Sequence, residues 1–147
     1  MTTLTSPTQP KKTRMLDSLR VADAMTTGVI SCSPETPLRA IARTMAERHV
    51  HAVYVFDYGV EDDETVELWG LVSDLDLVAA ARGDIDAETA RHMSVTPVVT
   101  VCSDDSLDRA SRLMAEYGIS HLAVLDPVTS RPLGVLSTLD VARVVAD

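Results

Sequence analysis

An internal repeat is the feature of this sequence that most constrains its fold. Residues 29–57 align without gaps on residues 98–126, at an offset of 69. Residues 69–76 match residues 133–140 at an offset of 64, so the first copy has five extra residues before Trp69. A repeat of about 60 residues buries little apolar surface alone, and we therefore expect each copy to complete the core of the other.

Both copies predict the same order of secondary structure. Apolar or small residues recur at i, i+3, i+4 and i+7 from Leu38 and again from Leu107, which indicates an amphipathic helix in each copy. Short apolar, β-branched runs on either side of these helices indicate strands. The predicted elements are strands at 29–32, 52–56, 66–72, 98–101, 121–125 and 132–136, and closing helices at 74–82 and 138–146. The order is β-α-β-β-α, twice.

These elements predict an α+β (mixed α/β) fold in which two β-α-β-β-α repeats pack as one module with a pseudo-twofold axis. The predicted domains are residues 20–83 and 84–146, and short helical turns at 21–25 and 89–93 lead into the repeats. Residues 1–14 are rich in Thr and Pro and lack a hydrophobic period, so we expect a flexible tail there.

The charge balance argues against nucleic acid and membrane partners. The chain has 13 basic and 22 acidic residues, a net charge of −9 at pH 7. Lys11, Lys12 and Arg14 lie in the predicted tail, which leaves −12 on the rest of the chain. Such a field repels phosphate backbones and anionic lipid surfaces. Aromatic residues make up only 3%, too few for a platform that stacks single-stranded bases.

Cysteine usage and the lack of targeting segments predict a cytoplasmic protein. Cys32 and Cys102 stand outside any Cys-x-x-Cys or Cys/His ligand spacing, so we expect two reduced thiols. The N-terminus has no apolar signal stretch, and no apolar run approaches the roughly 20 residues that span a bilayer. His49-x-His51 is a poor match to zinc patterns, and no metal is predicted. Because the sequence lacks a glycine-rich phosphate loop, an HExxH motif and a nucleophile elbow, we expect no enzyme activity.

Several segments, in the same order in both copies, carry a family resemblance. They are Asp23-Ala24-Met25 and Arg91-His92-Met93, the Met-Ala-Glu helix ends, Gly118-Ile119-Ser120-His121-Leu122, and the Gly-x-x-Ser-x-x-Asp closings at 70–76 and 134–140. Over residues 20–146 the chain resembles a tandem pair of CBS (cystathionine-β-synthase) domains, which forms a Bateman module. The resemblance implies a regulatory sensor of AMP, ADP, ATP or S-adenosylmethionine, bound in clefts between the two repeats. It also implies a homodimer and, since the chain has no room for another domain, a stand-alone module that regulates an unidentified partner protein.

The two closing motifs are the main candidate ligand site. Ser73 and Ser137 each precede a predicted helix, and Asp76 and Asp140 follow three residues later. One interpretation is a capping box, in which the hydroxyl and the carboxylate bond the backbone at the helix start. The other, implied by the resemblance, is that each carboxylate binds ribose hydroxyls and each serine supplies a neighbouring hydroxyl.

Basic residues that could bind a phosphate group are few. By resemblance, the phosphate-side residues are His51, Ser120 and His121, and Ala52 stands where the second copy has His121. The alternative is that each histidine only makes a backbone hydrogen bond near the surface. Histidine in place of arginine holds phosphate weakly at pH 7, which favours AMP, adenosine or S-adenosylmethionine over ATP.

Two further features have a functional and a structural interpretation. The apolar residues that would form an adenine pocket, or else belong to the ordinary core, are Val29, Ile30, Val98 and Val99. The acidic insert 61–64 is either a solvated hairpin tip or a contact for a cation or protein.

The sequence therefore predicts a regulatory module that binds an adenosine-containing ligand, requires no cofactor and acts on a partner protein. The alternative is a CBS-fold interaction or scaffold protein with no physiological nucleotide ligand.

Overall fold

The computed structural model describes residues 16–58, 66–94 and 98–147. In chain order its elements are α1 (Val21–Ala24), β1 (Thr26–Thr27), β2 (Ser31–Cys32), α2 (Leu38–Arg48), β3 (Ala52–Tyr58), β4 (Val66–Ser73), α3 (Asp74–Ala81), a 3₁₀ turn (Ile85–Ala87), α4 (Ala90–Met93), β5 (Thr100–Cys102), α5 (Leu107–Tyr117), β6 (His121–Leu125), β7 (Pro132–Ser137) and α6 (Thr138–Ala146). The predicted order β-α-β-β-α is confirmed in both copies. The predicted tail 1–14 and the acidic insert 61–64 lie outside the described residues.

The chain divides into two compact units. Among the described residues, the first-repeat unit is Thr27–Thr100, and the second-repeat unit joins residues 16–26 to Val101–Asp147. These boundaries differ from the sequence domains 20–83 and 84–146 because each short lead-in helix belongs to the unit of the other repeat.

The first-repeat unit is built on a three-stranded sheet of order β2-β3-β4. Strand β2 runs parallel to β3, and β4 is antiparallel to β3 with Ala52 opposite Ser73. Helix α2 buries its predicted apolar positions, apart from the half-buried Ala42, against this sheet because they share one face at helical spacing. The buried cluster is Leu38, Ile41, Met45, Val53, Val55, Val72 and Ala90.

The second-repeat unit repeats the arrangement on a four-stranded sheet of order β1-β7-β6-β5. Strands β6 and β7 are antiparallel, and His121 lies opposite Ser137. Helix α5 buries Leu107, Ala110 and Met114, and the fourth position that its periodicity predicts, Ser111, is half-buried.

The lead-in helices are held by matching backbone hydrogen bonds. In the second-repeat unit, Val21 donates to the Asp105 carbonyl over 2.9 Å. In the first-repeat unit, Ala90 donates to the Thr36 carbonyl, also over 2.9 Å. Residues 21 and 90, and likewise residues 36 and 105, stand at the repeat offset of 69, so the duplication extends into the lead-ins.

The first strand of each repeat begins later than its sequence predicts. Strand β2 starts at Ser31 and β5 at Thr100, each two residues after its predicted start. Val29 keeps 39% of its surface exposed, so its interpretation as a core residue is wrong. Ile30 does pack against the core of the first-repeat unit.

Candidate functional site

Both closing motifs form the capping box that the sequence allows. At α3 the Ser73 N–H donates to Asp76 Oδ2 over 2.8 Å, and the Asp76 N–H donates to Ser73 Oγ over 3.4 Å. At α6 the Ser137 N–H donates to Asp140 Oδ2 over 2.8 Å, and the Asp140 N–H donates to Ser137 Oγ over 3.1 Å. Each box satisfies backbone donors that a helix start otherwise leaves without a partner.

The carboxylate of Asp140 is buried to a degree that is rare for this residue type. Only 6% of its surface is exposed, whereas Asp76 is half-buried. A buried carboxylate needs charged or hydrogen-bonding partners to offset its desolvation. Its Oδ2 accepts the Ser137 N–H, and its Oδ1 lies 3.8 Å from Arg143 Nη1.

Helix capping and ligand binding are compatible at these aspartates. In the part of the chain that the structure describes, the capping bonds of Asp76 and Asp140 end on Oδ2. An ionised carboxylate offers about four acceptor sites on its two oxygens, so a capped Asp can still accept from two ribose hydroxyls. The confirmed capping boxes therefore do not decide between the two interpretations.

In the second-repeat unit, the predicted phosphate-side residues lie next to the closing motif. His121 is directly opposite Ser137 on the neighbouring strand. The His121 Nδ1 is 2.9 Å from Ser120 Oγ, and the Thr138 N–H donates to the Ser120 carbonyl over 2.9 Å. The sheet register thus brings Ser120 and His121 to the start of α6.

The first-repeat unit has a different constellation at the same place. Ala52 lies opposite Ser73, and the preceding His51 accepts the Asp74 N–H at its carbonyl over 2.9 Å. The His51 Nδ1 is also 3.0 Å from Asp74 Oδ2, with the two side chains 66% and 50% exposed. His51 therefore lies at the start of α3, next to a carboxylate, and its role toward a phosphate stays a prediction.

The residues predicted to form an adenine pocket lie just before the first strand of each repeat. Val29 and Ile30 precede β2 in the unit that holds Asp76, and the Ile30 carbonyl accepts the Tyr54 N–H over 2.9 Å. Val98 and Val99 are half-buried and precede β5. Their role as an adenine pocket stays a prediction.

Sequence reasoning missed two charged residues at this site. Asp74 lies inside the first closing motif, and Arg143 lies one helical turn after Asp140. Comparison of the copies could have found both, because each is a charged residue in one copy and an uncharged residue in the other. At the offset of 64, Asp74 corresponds to Thr138 and Arg143 to Ala79.

Three further features concern the cysteines, possible metal ligands and the helices. Both cysteines are free thiols, and burial raises the pKa of Cys32, partly offset by a hydrogen bond with Thr36. Among residues 16–58, 66–94 and 98–147, no three His, Cys, Asp or Glu side chains lie close enough together to hold a metal ion. Within the same residues, no helix has the length and apolar character needed to cross a membrane.

Two β-α-β-β-α repeats, each closing on a Ser-x-x-Asp capped helix, define a pair of CBS domains. The CBS domain family model matches residues 21–83 and 90–147, and the chain belongs to this family.

The comparisons with individual proteins agree with this assignment. The CBS domain-containing protein YhcV of Bacillus subtilis (strain 168) is 29% identical over 124 residues, which is 83% of this chain and 82% of that protein. The protein MK0525 of Methanopyrus kandleri is 28% identical over 130 residues, and this chain spans only 63% of its length. The CBS domain pair of protein MJ0100, solved with 5′-methylthioadenosine and S-adenosylmethionine, has the same fold, with a TM-score of 0.74 at 20% identity over 87% of this chain and 96% of that one.

Proposed function

We propose that this CBS pair is a regulatory sensor that binds an adenosine-containing ligand at its closing motifs and acts on a partner protein. The observation that carries the proposal is the carboxylate of Asp140, which is almost fully buried and held in place by the cap of α6. A carboxylate held beside Ser137, which has His121 opposite it on the neighbouring strand, can accept from the two vicinal hydroxyls of a ribose. The bound ligands of the MJ0100 pair, which has this fold, support the adenosine class.

Isothermal titration calorimetry with AMP and 5′-methylthioadenosine tests this proposal. The informative variants are Asp76→Asn and Asp140→Asn, because asparagine keeps an oxygen for the capping bond and removes the charge. Loss of a charged hydrogen bond to the ribose is expected to weaken binding at the altered motif by about tenfold or more.

Two controls separate ligand binding from helix capping. Asp105 accepts the Cys102 N–H over 2.8 Å, the same backbone role at a place outside the closing motif, so Asp105→Asn should leave ligand affinity unchanged. Ser137→Ala removes a cap acceptor but keeps the Asp140 carboxylate, and it should lower stability more than affinity. If no adenosine compound binds the wild-type chain below millimolar concentration, the sensor proposal fails and the scaffold function replaces it.

We also propose that the active form is a homodimer that uses the closing helices. Leu75 and Val78 on α3 are 64% and 62% exposed, and Leu139 on α6, equivalent to Leu75, is 50% exposed. Exposed apolar residues at equivalent positions of two helices are typical of an interaction surface. Sedimentation of the wild type should give a dimer that Leu75→Glu/Leu139→Glu converts to a monomer, and a monomeric wild type would contradict this proposal.

A further inference from the structure

The two closing motifs differ in charge at equivalent positions. In the first motif, Asp74 and Asp76 are two carboxylates separated by one residue, and His51 Nδ1 lies 3.0 Å from Asp74 Oδ2. In the second motif, Thr138 replaces Asp74, and Arg143 lies 3.8 Å from the Asp140 carboxylate.

The difference in charge follows from the residue types. The first motif carries two carboxylates, Asp74 and Asp76, with no arginine or lysine in residues 70–76. In the second motif the single carboxylate of Asp140 faces the guanidinium of Arg143. With histidine counted as neutral, the first motif is therefore formally more negative than the second.

We infer that the two motifs select adenosine ligands by the charge of the 5′ group, with Asp74 and Thr138 as the residues that set the difference. The first motif takes a neutral or cationic 5′ substituent, such as a thioether or sulfonium, and rejects a phosphate. The second motif takes a 5′-phosphate. This inference rests on the proposed function, because it assumes that both motifs bind the ribose.

The position of Asp74 supports this assignment. Its N–H donates to the His51 carbonyl and its Oδ2 lies 3.0 Å from His51 Nδ1, so the side chain lies beside the strand edge where the second unit has Ser120 and His121. A carboxylate at that edge repels a phosphate on a ligand whose ribose is bound by Asp76. Thr138, at the equivalent place, offers a hydroxyl that can donate to a phosphate oxygen.

The test compares AMP with 5′-methylthioadenosine, which share the adenosine and differ in charge at the 5′ position. Calorimetry on the Asp140→Asn chain reports the first motif, and calorimetry on the Asp76→Asn chain reports the second. We expect the first motif to prefer 5′-methylthioadenosine and the second to prefer AMP.

Exchange of the selecting residue should exchange the preference. In the Asp140→Asn chain, Asp74→Thr should strengthen AMP binding by about tenfold, because it removes one negative charge near the phosphate. The same change should alter 5′-methylthioadenosine binding by less than about twofold. The matched control is Glu47→Thr, which removes one negative charge from an exposed position of α2 in the same unit and should leave both affinities unchanged. The reciprocal change Thr138→Asp in the wild-type chain should weaken AMP binding at the second motif. Because this variant contains neither Asn substitution, its result holds even if the Asn variants fail to fold.

The outcomes are distinguishable. Equal AMP to 5′-methylthioadenosine ratios at the two motifs, or a ratio that Asp74→Thr and Thr138→Asp leave unchanged, overturn the inference while the sensor function stands. Failure of both probes to bind the wild-type chain overturns the proposed function and, with it, this inference.

Discussion

Gly70 marks the place where the lead-in helix of the second repeat meets the sheet of the first. It lies buried in β4 opposite Val55, and a side-chain carbon added to it would stand inside van der Waals distance of Ser94 Cβ, 2.9 Å from Ser94 Oγ and 3.4 Å from Ser94 Cα. Ser94 ends α4 and its hydroxyl donates to the Ala90 carbonyl, so it cannot easily turn aside. The change Gly70→Ala therefore forces β4 and α4 apart.

The size of the effect follows from two opposing terms. Overpacking of a filled site costs about 1–3 kcal/mol. Restriction of the unfolded chain by alanine offsets about 0.4–1 kcal/mol of that. We expect Gly70→Ala to lower the free energy of unfolding by about 1–2 kcal/mol, which corresponds to a drop in Tm of about 2–4 °C per kcal/mol for a chain of this size.

Equilibrium urea unfolding followed by circular dichroism measures this change. The matched control is Gly83→Ala, because an added carbon there meets only the Ala80 carbonyl at an ordinary 3.8 Å. Adding Ser94→Gly to Gly70→Ala removes the clashing atoms and should restore much of the stability. If Gly70→Ala is as mild as Gly83→Ala, then α4 does not pack on β4 as described.

Three further predictions concern helix ends and a thiol. Helices α2 and α5 end at equivalent left-handed residues, His49 with φ 55° and Gly118 with φ 64°. His49→Gly should therefore raise the free energy of unfolding by about 1 kcal/mol, and Gly118→Ala should lower it by a similar amount. Changes of the same sign in the two variants would contradict this. Ser106 caps α5 by accepting the Arg109 N–H over 3.1 Å, so Ser106→Ala should cost about 0.5–2 kcal/mol in urea unfolding, and a neutral result would show that the cap is not formed. Because burial raises the pKa of Cys32, its alkylation at pH 8 in a Cys102→Ser chain should be slower in the folded state than in urea, and equal rates would contradict that burial.

The repeat and its periodicity were sufficient to predict the element order because each element is held by local patterns. The apolar spacing from Leu38 and Leu107 placed both central helices, and the Ser-x-x-Asp motifs placed both closing helices. These signals depend on neighbours three or four residues apart, which a sequence shows directly.

Long-range partners were not predictable in the same way. The lead-in helix Val21–Ala24 comes just before the first strand of the first repeat in the chain. Its Val21 N–H nevertheless donates to the Asp105 carbonyl of the second repeat. The four residues of this helix show no pattern that tells which repeat they bond. The exposure of Val29 was missed for a related reason: a β-branched residue predicts a strand, but the ladder begins only at Ser31.

The sequence pointed to candidate residues at the closing motifs but did not show how their charges differ between the two copies. The sheet register that sets His121 opposite Ser137 places the predicted groups together. The contact of His51 with Asp74 depends on the side chains at a helix start, where an aspartate is also a common capping residue. Such a residue is seen as part of the site only when its neighbour across the turn is known.

The central claim, that the closing carboxylates bind ribose hydroxyls, is tested most directly by removing those hydroxyls. We would measure the affinity of adenosine and of 2′,3′-dideoxyadenosine for the Asp76→Asn chain, and for the same chain with Asp140→Asn added, by NMR titration. The account predicts that loss of the hydroxyls weakens binding to the first chain by about tenfold or more and has little effect once Asp140 is also replaced, because the two changes remove the same hydrogen bonds. Equal affinity of the two nucleosides for the chain that retains Asp140 would contradict the account.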